Sequence, residues 1–235
     1  MAFIAFPQPI IEAKFIRRYK RFLADFELFD GSIVTAHCTN TGSMRGCLEP
    51  GALSLLWDRG QSMRATRYSW KAIRIGRTFV GIDTQLPNRL VAEAVSGGEI
   101  APLAGYATIR REVRMGADSR VDLLLQSVGL PDCFVEVKNV TLLEGGVARF
   151  PDAVTARGRK HLEELSRVVA SGGRAAIVFV VQRADACRFE PAAEIDPEYT
   201  SALRRAFECG VEIFVLSASV DRDGVRTEGL LDFSL

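Results

Sequence analysis

The first third of the chain consists of short runs in which apolar and polar residues alternate, separated by glycines. Alternation with a period of two predicts strands, which we assign to residues 22–29, 32–39, 52–58, 63–75 and 78–83. The dipeptide Asp30-Gly31 lies between the first two runs and favours a tight hairpin turn. Short strands at this density are typical of a closed barrel, because closure leaves no exposed sheet edge. We therefore predict a small β-barrel at residues 1–81.

Beyond residue 83 the spacing of apolar residues lengthens, and helical patterns alternate with strands. Short connections favour antiparallel neighbours among the first strands of this part. The unbroken apolar run 175–181 suits the centre of a sheet that is covered on both faces. We predict an α/β (α+β) fold in which the barrel precedes an α/β domain with a mixed sheet at residues 82–235. The predicted helices are 87–95, 155–170 and 197–209, and the predicted strands are 105–115, 120–126, 133–143, 175–181 and 211–220.

Composition narrows the class of protein. A chain of 235 residues with 48% hydrophobic content can bury a core in one or two domains without further cross-links. No segment approaches the roughly 20 apolar residues of a membrane span, and the first residues lack the basic segment of a signal peptide. Five cysteines without C-x-x-C spacing indicate reduced thiols. We expect a cytoplasmic protein that does not bind membranes.

Charge is distributed unevenly along the chain. Residues 1–81 carry 12 Lys/Arg and 6 Asp/Glu, hence +6, so the remainder carries 30 − 12 = 18 basic against 29 − 6 = 23 acidic residues, or −5. A basic module joined to an acidic one indicates that the first binds a polyanion and the second binds a metal. The alternative is that this charge asymmetry arose by chance. The densest cluster, which also contains Tyr19, consists of Arg17, Arg18, Lys20 and Arg21.

Two further segments extend this picture. Arg64, Arg67, Tyr68, Trp70, Lys71 and Arg74 mix cations with aromatic residues, as a groove for a single nucleic-acid strand requires. The alternative is that the aromatic residues belong to the core, which we favour for Trp70. Residues 39–51 form a loop rich in Gly, Asn, Thr and Ser that can present backbone N–H groups and Arg45 to a phosphate.

Three charged residues interrupt two consecutive apolar runs. Asp122 lies in the run 120–125, and Glu136 and Lys138 lie in the run 133–140, where alternation places them on one face of a strand. Their desolvation is costly unless they bind a metal, a substrate or each other. If the runs pair, Asp122 lies beside Glu136 and the two carboxylates can bind Mg²⁺ or Mn²⁺ for phosphodiester hydrolysis. Mutual ion pairing on an exposed strand face is about equally plausible from these residues alone.

Several motifs resemble the sugar fermentation stimulation protein family. Among them are Arg18-Tyr-Lys-Arg-Phe-Leu-Ala-Asp25 and Val135-Glu-Val-Lys-Asn-Val-Thr141. All of them occur in the family's order, and together they reach from near the N-terminus to about residue 183. The other motifs are at residues 40–51, 87–91, 119–122, 150–155, 157–162 and 182–183.

The resemblance implies an N-terminal OB-like barrel, a C-terminal domain similar to PD-(D/E)xK nucleases, and an association with DNA binding and the regulation of sugar utilisation genes. In the nuclease pattern a helix Glu precedes a strand Asp and then E-x-K. Glu93, Asp122, Glu136 and Lys138 occupy these places. The Pro that precedes the Asp in that pattern is Val121 here.

These positions define the predicted roles. Asp122 and Glu136, with the Val137 carbonyl, bind Mg²⁺ or Mn²⁺. Glu93 binds through water or a second ion. Lys138 orients the attacking water and offsets the developing charge.

Three residues further along the chain are predicted to contact phosphate: Lys160, His161 and Gln182. For His161 the alternative is an ordinary polar residue on a helix. Asp152 either serves the site or caps the following helix.

Two functions remain open at this level. The first is a metal-dependent nuclease acting on DNA or RNA. The second is a non-catalytic DNA-binding regulator of sugar (maltose) metabolism genes. No helix-turn-helix pattern is recognisable, so we expect contacts to the nucleic-acid backbone. The oligomeric state is open, with a dimer among the alternatives.

Overall fold

The computed structural model describes residues 1–60, 66–115 and 119–235, with Ser119 described by its backbone alone. In chain order its elements are β1 (Phe3–Ala5), β2 (Ile10–Tyr19), β3 (Leu23–Glu27), β4 (Ile33–His37), β5 (Leu53–Asp58), β6 (Tyr68–Ile75), β7 (Thr78–Gly81), α1 (Leu86–Ser96), β8 (Thr108–Met115), β9 (Ser119–Gln126), β10 (Cys133–Val140), β11 (Leu142–Glu144), β12 (Val147–Phe150), α2 (Ala156–Ala170), β13 (Arg174–Val181), β14 (Arg188–Pro191), α3 (Pro197–Glu208), β15 (Glu212–Val220) and β16 (Gly224–Leu230).

The predicted barrel is confirmed. Six strands follow the order β4-β3-β2-β5-β6-β7, and a parallel pairing of β4 with β6 closes the sheet on itself. The predicted hairpin joins β3 to β4, and the Asp30 carboxylate accepts the Ser32 N–H at 2.9 Å. The predicted strand 63–75 begins at Tyr68 among the described residues, and residues 61–65, including Arg64, lie outside them.

Aromatic residues fill the barrel core. Phe15 stacks on Trp70 with ring centroids 5.1 Å apart, and Phe26 meets Trp70 edge-on at 5.2 Å. The indole N–H of Trp70 donates to the Ala72 carbonyl at 3.0 Å, so its polar atom is satisfied in the core. Trp70 is therefore a core residue, as favoured above, and is not available to stack on a ligand.

The second part of the chain forms, together with β1, a mixed seven-stranded sheet in the order β1-β16-β15-β13-β10-β9-β8, and it also forms a three-stranded sheet in the order β11-β12-β14. The strands β10, β13 and β15 are parallel, whereas β8, β9 and β10 pair antiparallel as predicted. The apolar strand β13 lies in the centre between β10 and β15. Helix α1 packs on one face of the sheet, and α2 and α3 pack on the other. None of the described helices is long and apolar enough to span a membrane.

The first strand lies outside the barrel, which corrects the predicted boundary. β1 pairs antiparallel with β16, at the opposite end of the chain, through Ile4↔Val225 and its two neighbours. A Cβ on Gly224 would collide with the Ile4 carbonyl oxygen, so this register needs a glycine. The barrel therefore begins at β2 and not at residue 1. A three-residue strand carries too little alternation to be recognised from sequence.

A buried ion pair connects the barrel to the rest of the molecule. The Lys71 Nζ lies 2.5 Å from Asp83 Oδ2, and these side chains are only 7% and 3% exposed. Asp83 Oδ1 also accepts from the Gln85 N–H at 3.0 Å and from the Thr39 hydroxyl at 3.3 Å. Asp83 thus holds β6, the loop after β4 and the start of α1 in one arrangement.

Removing the charge of Asp83 should destabilise the whole molecule. We expect Asp83→Asn to lower the free energy of unfolding by about 3 kcal/mol, because Lys71 stays buried without its counter-charge. Urea denaturation followed by circular dichroism measures the change. The control is Arg167→Ala, which removes an exposed pair with Glu163 and should cost less than about 0.5 kcal/mol. Equal effects of the two substitutions would contradict the assignment.

Candidate active site

A cleft opens where two neighbouring strands part. β9 and β10 are paired through Leu125, Leu124 and Leu123 of β9, and the pairing stops at Val135↔Leu123. Beyond that point the carboxylate Oδ2 of Asp122 accepts the Val137 N–H at 2.8 Å. A side chain therefore replaces the backbone acceptor that a continued ladder would supply. The strands separate around Asp122 because its side chain lies between them.

The second oxygen of Asp122 is held from helix α1. Asn88 Nδ2 donates to Asp122 Oδ1 at 2.8 Å. Burial and the neighbouring negative charge of Glu136 nevertheless raise the pKa of Asp122. The two carboxylates thus lie close enough to repel each other, as predicted if the runs paired. A bound cation would relieve this repulsion.

Glu136 is only 3% exposed and has an unequal environment at its two oxygens. Oε1 lies 2.5 Å from the Lys138 ammonium and also contacts the Nδ1 atom of His161. Oε2 is buried and has no hydrogen-bond partner among the described residues. Burial alone would raise the pKa of Glu136, but the His161 hydrogen bond and the Lys138 charge lower it below its ordinary value.

His161 links Glu136 to a residue that the sequence prediction did not include. Arg157 Nε lies 3.4 Å from His161 Nε2. A guanidinium can only donate, so Nε2 is the acceptor and the ring proton is assigned to Nδ1, which donates to Glu136. The predicted phosphate contact of His161 is therefore replaced by an orienting contact to a carboxylate. The i, i+4 spacing of Arg157 and His161 on one helix face was the sequence signal for this pair.

Several predicted site residues lie elsewhere. Glu93 is exposed on α1 and is absent from the cleft lining, because a residue five positions beyond Asn88 is turned by roughly 140° around the helix. Lys160 is exposed and lies 3.9 Å from Glu164. Neither Glu93 nor Lys160 therefore lines the cleft between β9 and β10.

Gln182 is fully buried and has a structural position. Its amide nitrogen donates to Asn139 Oδ1 at 2.6 Å, and its backbone carbonyl accepts the Gly81 N–H at 2.9 Å. A Cβ on Gly81 would lie 2.7 Å from the Gln182 amide oxygen. Gln182 therefore packs between the end of the barrel and the sheet, and the predicted phosphate contact is wrong.

The basic cluster of the barrel is largely engaged within the protein. Arg17 pairs with Asp25 at 2.9 Å, and Arg18 donates to the carbonyls of Arg21 and Asn40. Lys20 and Arg21 form the turn between β2 and β3 with positive φ values of 48° and 64°. The guanidinium of Arg21 also donates to the Thr41 carbonyl at 3.3 Å.

These contacts fasten the β2–β3 turn to the loop at residues 39–51. Arg45 lies exposed in that loop. Lys20 is exposed as well. We conclude that Arg17, Arg18 and Arg21 are engaged in contacts that stabilise the barrel. This weakens the prediction that the cluster supplies the nucleic-acid contacts.

Asp152 neither enters the cleft nor caps helix α2. Its carboxylate accepts from the Ser43 hydroxyl and the Met44 N–H, both at 2.9 Å, and so joins the loop at 39–51 to the second part of the chain. Thr155 caps the helix by accepting the Gly158 N–H at 3.0 Å. The cap predicted as one alternative is therefore Thr155, and Asp152 lines a cavity beside the cleft.

The cleft has a volume of about 430 Å³. Its walls carry cations around the two carboxylates, and polar residues not predicted from sequence complete them. Asn88 belongs to this group, and the others are Thr84, Glu112, Arg120, Asn139 and Arg157. Cationic side chains around a dicarboxylate are suited to a polyanionic substrate.

The donor set fits a hard divalent cation. Among the described residues no group of three or more His, Cys, Asp and Glu is arranged to hold a metal. Mg²⁺ needs no such cage, because it uses one or two carboxylates and keeps water or phosphate oxygens in its other positions. The unpartnered, buried Oε2 of Glu136 beside the raised-pKa carboxyl of Asp122 is the observation that fits such an ion.

The fold and the site together define a two-part protein, an OB barrel followed by an α/β domain with a dicarboxylate cleft. Residues 16–82 match the family described as the SfsA N-terminal OB domain, and residues 85–224 match the sugar fermentation stimulation protein RE domain. The chain belongs to the sugar fermentation stimulation protein family, as its motifs indicated.

Similar proteins support the same assignment. The sugar fermentation stimulation protein homolog of Geotalea uraniireducens is 52% identical, and that of Citrifermentans bemidjiense is 53% identical. Each alignment covers 96% of this chain and 97% of the relative. The structure of Pyrococcus furiosus SfsA in complex with Ca²⁺ is 29% identical, has a TM-score of 0.89 and covers 100% of both chains.

The contact of His161 with Glu136 can be tested by titration. We expect His161→Ala to raise the pKa of Glu136, because the burial that opposes ionisation stays while the strongest lowering contact is lost. In the parent protein Glu136 stabilises the fold above its unfolded pKa, and this stabilisation is lost as pH falls through the lowered folded pKa. NMR of the Glu side-chain carboxyl carbons measures the pKa. Lys160→Ala on the same helix is the control, and an unchanged pKa in the His161 variant would refute the contact.

Proposed function

We propose that this protein is a DNA-binding member of its family that hydrolyses phosphodiester bonds of nucleic acid with the help of Mg²⁺ or Mn²⁺. The observation that carries the proposal is the buried Glu136 oxygen without a partner, which lies in a cleft with Asp122 and Lys138. An Asp followed by E-x-K on the adjacent strand also supports a likeness to PD-(D/E)xK nucleases.

The metal would be held by Asp122 and Glu136, with the Val137 carbonyl as a further oxygen ligand. Each carboxylate oxygen of Asp122 accepts one hydrogen bond in the protein and retains a second lone pair for an ion. Such an ion polarises a phosphoryl oxygen and lowers the pKa of a bound water. The Ca²⁺ named for the Pyrococcus furiosus relative is likewise a hard cation that selects oxygen ligands.

The remaining side chains have separate tasks. Lys138 has three N–H donors, of which Glu136 engages one, so it can orient a water and offset negative charge on the phosphate. His161 fixes the rotamer of Glu136 from behind, and Arg157 fixes the ring of His161. Arg120 on the wall of the cleft can contact a neighbouring phosphate.

DNA is the proposed partner, and RNA is the alternative that the cleavage assay below also tests. Cations around the cleft recognise the phosphate backbone that both share, and this recognition is independent of sequence. If the protein binds DNA but does not cleave it with any divalent metal, the result would instead support the second function, a non-catalytic DNA-binding regulator of sugar metabolism genes.

Metal binding should appear as thermal stabilisation. At a hundredfold excess of Mn²⁺ over its Kd we expect about 2.7 kcal/mol of added stability. For a chain of this size that raises Tm by roughly 5–10 °C. Asp122→Asn and Glu136→Gln should abolish the shift, whereas Glu93→Gln, on the exposed side of α1, should retain it. A shift that survives both cleft substitutions would place the ion elsewhere.

Cleavage should depend on Lys138 and Glu136. We expect Lys138→Ala and Glu136→Gln to lower the cleavage rate roughly 10²-fold or more, because the first removes the cation that offsets the developing charge and the second removes a ligand of the metal. Labelled single-stranded, duplex and branched DNA and RNA are incubated in Mn²⁺ or EDTA, and the products are separated on denaturing gels.

Lys160→Ala is the matched control, because it removes the same charge from an exposed site near the cleft. It should cleave at the parent rate. Equal cleavage by the parent and all variants would show a contaminating nuclease or a different site.

A further inference from the structure

Two more cavities adjoin the cleft, and all three meet at Thr84. The cavity between α1 and β8, called here the entry cavity, has a volume of about 560 Å³ and shares Asn88 and Glu112 with the cleft. The cavity beside the loop at 39–51, called the loop cavity, has a volume of about 300 Å³ and shares Asn139 with the cleft. The three share wall residues and lie side by side at the junction of barrel and sheet, and together they are called the groove here.

The entry cavity carries unpaired positive charge. Arg89 on α1 and Arg111 on β8 line it, and both are exposed. Within the described ranges neither arginine forms an ion pair, in contrast to Arg17 of the barrel. An exposed guanidinium without a counter-ion is ready to bind a phosphate in two-point geometry. This end of the groove is therefore suited to a phosphodiester backbone.

The loop cavity has a different lining. Thr39 and Thr41 from the barrel loop face Asn139 and Thr141 from the sheet, so hydroxyl and amide groups predominate. Arg149 adds a buried Nε that has no hydrogen-bond partner in the described part of the chain, although its charge is balanced by Glu144 and two other acids.

Phe150 closes the loop cavity on the side of the core, because its ring packs against Phe179 and Tyr199 with centroids 5.5 Å and 5.3 Å away. The hydroxyl and amide lining is suited to the sugar and the base edges of a nucleotide, because these groups can both donate and accept hydrogen bonds.

We infer that a single-stranded polynucleotide lies along this groove, with one backbone phosphate against Arg89 and Arg111 and the nucleotide on the other side of the reactive phosphate in the loop cavity. The position of the reactive phosphate in the cleft rests on the proposed function. Binding along the groove does not, because Arg89, Arg111 and the loop cavity need no metal and no cleavage to hold a strand.

The depth of the groove favours a single strand over a duplex. Glu136 lies at the bottom with 3% of its surface exposed, so the phosphate that reaches it must enter the cleft. A base that remains stacked and paired in a duplex cannot also enter the loop cavity beside Phe150. A flexible strand can turn at Thr84 and place successive nucleotides in adjoining compartments.

Binding measurements test this inference separately from catalysis. Affinity for a labelled single-stranded oligonucleotide is measured by fluorescence anisotropy in EDTA, which excludes metal-dependent cleavage, with DNA and RNA as parallel probes. We expect Arg89→Ala/Arg111→Ala to weaken binding about tenfold and to reduce the salt slope by about 0.7, since the two arginines share one phosphate and each neutralised phosphate on a single strand contributes roughly 0.7. Arg204→Ala/Arg205→Ala on α3 removes the same charge away from the groove and should leave both quantities unchanged.

A second pair of variants tests the loop cavity. Thr41→Trp places a bulky side chain at an exposed position of its wall and should weaken single-strand binding severalfold, whereas Leu48→Trp, in the same loop but outside the cavity, should bind like the parent. Unchanged melting temperatures confirm that all variants fold. Duplex DNA that competes as well as single strands, or parent-like binding by both groove variants, would overturn the inference. If Glu136→Gln abolishes cleavage while the groove variants bind like the parent, only the groove is refuted. If binding depends on the groove but no cleavage occurs, only the proposed catalysis is refuted.

Discussion

The buried carboxylate of Asp83 holds together the parts of the molecule that form the groove. It binds Lys71 from the barrel, Thr39 from the loop after β4, and the first turn of α1. A buried charge with three partners tolerates little displacement, because any lost contact leaves the charge unsolvated. The position of α1 in turn delivers Asn88 to Asp122, and the position of the loop delivers Thr39 and Thr41 to the loop cavity. One ion pair outside the cleft therefore helps to position α1 and the loop, which line parts of the groove.

Within the cleft, strand pairing is incomplete and two carboxylates lie close together, and both features cost stability. Asp122 interrupts the ladder between β9 and β10, and its pKa is raised by burial and by the charge of Glu136. A continued ladder with apolar side chains would be more stable, but it would close the space in which the phosphate is proposed to bind. His161 and Lys138 offset part of this cost by keeping Glu136 ionised. The arrangement is consistent with the cation site proposed above.

The net charge of a segment is a poor guide to which of its cations are free to bind a polyanion. The barrel has an excess of basic residues, yet Arg17 is paired with Asp25, Lys71 is buried against Asp83, and Arg18 holds a turn. The acidic part of the chain contributes Arg89 and Arg111, which are exposed and lie at the groove. Net charge counts every charged residue, whether or not it has an ion-pair partner. Binding of a polyanion depends on the cations that have no counter-ion within the protein.

The sequence by itself determined the local elements and the centre of the site. Alternation and turn residues predicted the barrel strands, the central strand β13 and the face shared by Glu136 and Lys138, because these patterns reflect burial within a few residues. Tertiary structure alone decided that Glu93 faces solvent, that Gln182 is buried at the junction, and that β1 pairs with β16. Each of these depends on contacts between segments far apart in the chain, and a local pattern does not record which distant surface an element meets. The proximity of Asp122 and Glu136 followed from sequence, but the contact of Asn88 with Asp122, the direction of α1 and the path of β1 followed only from packing.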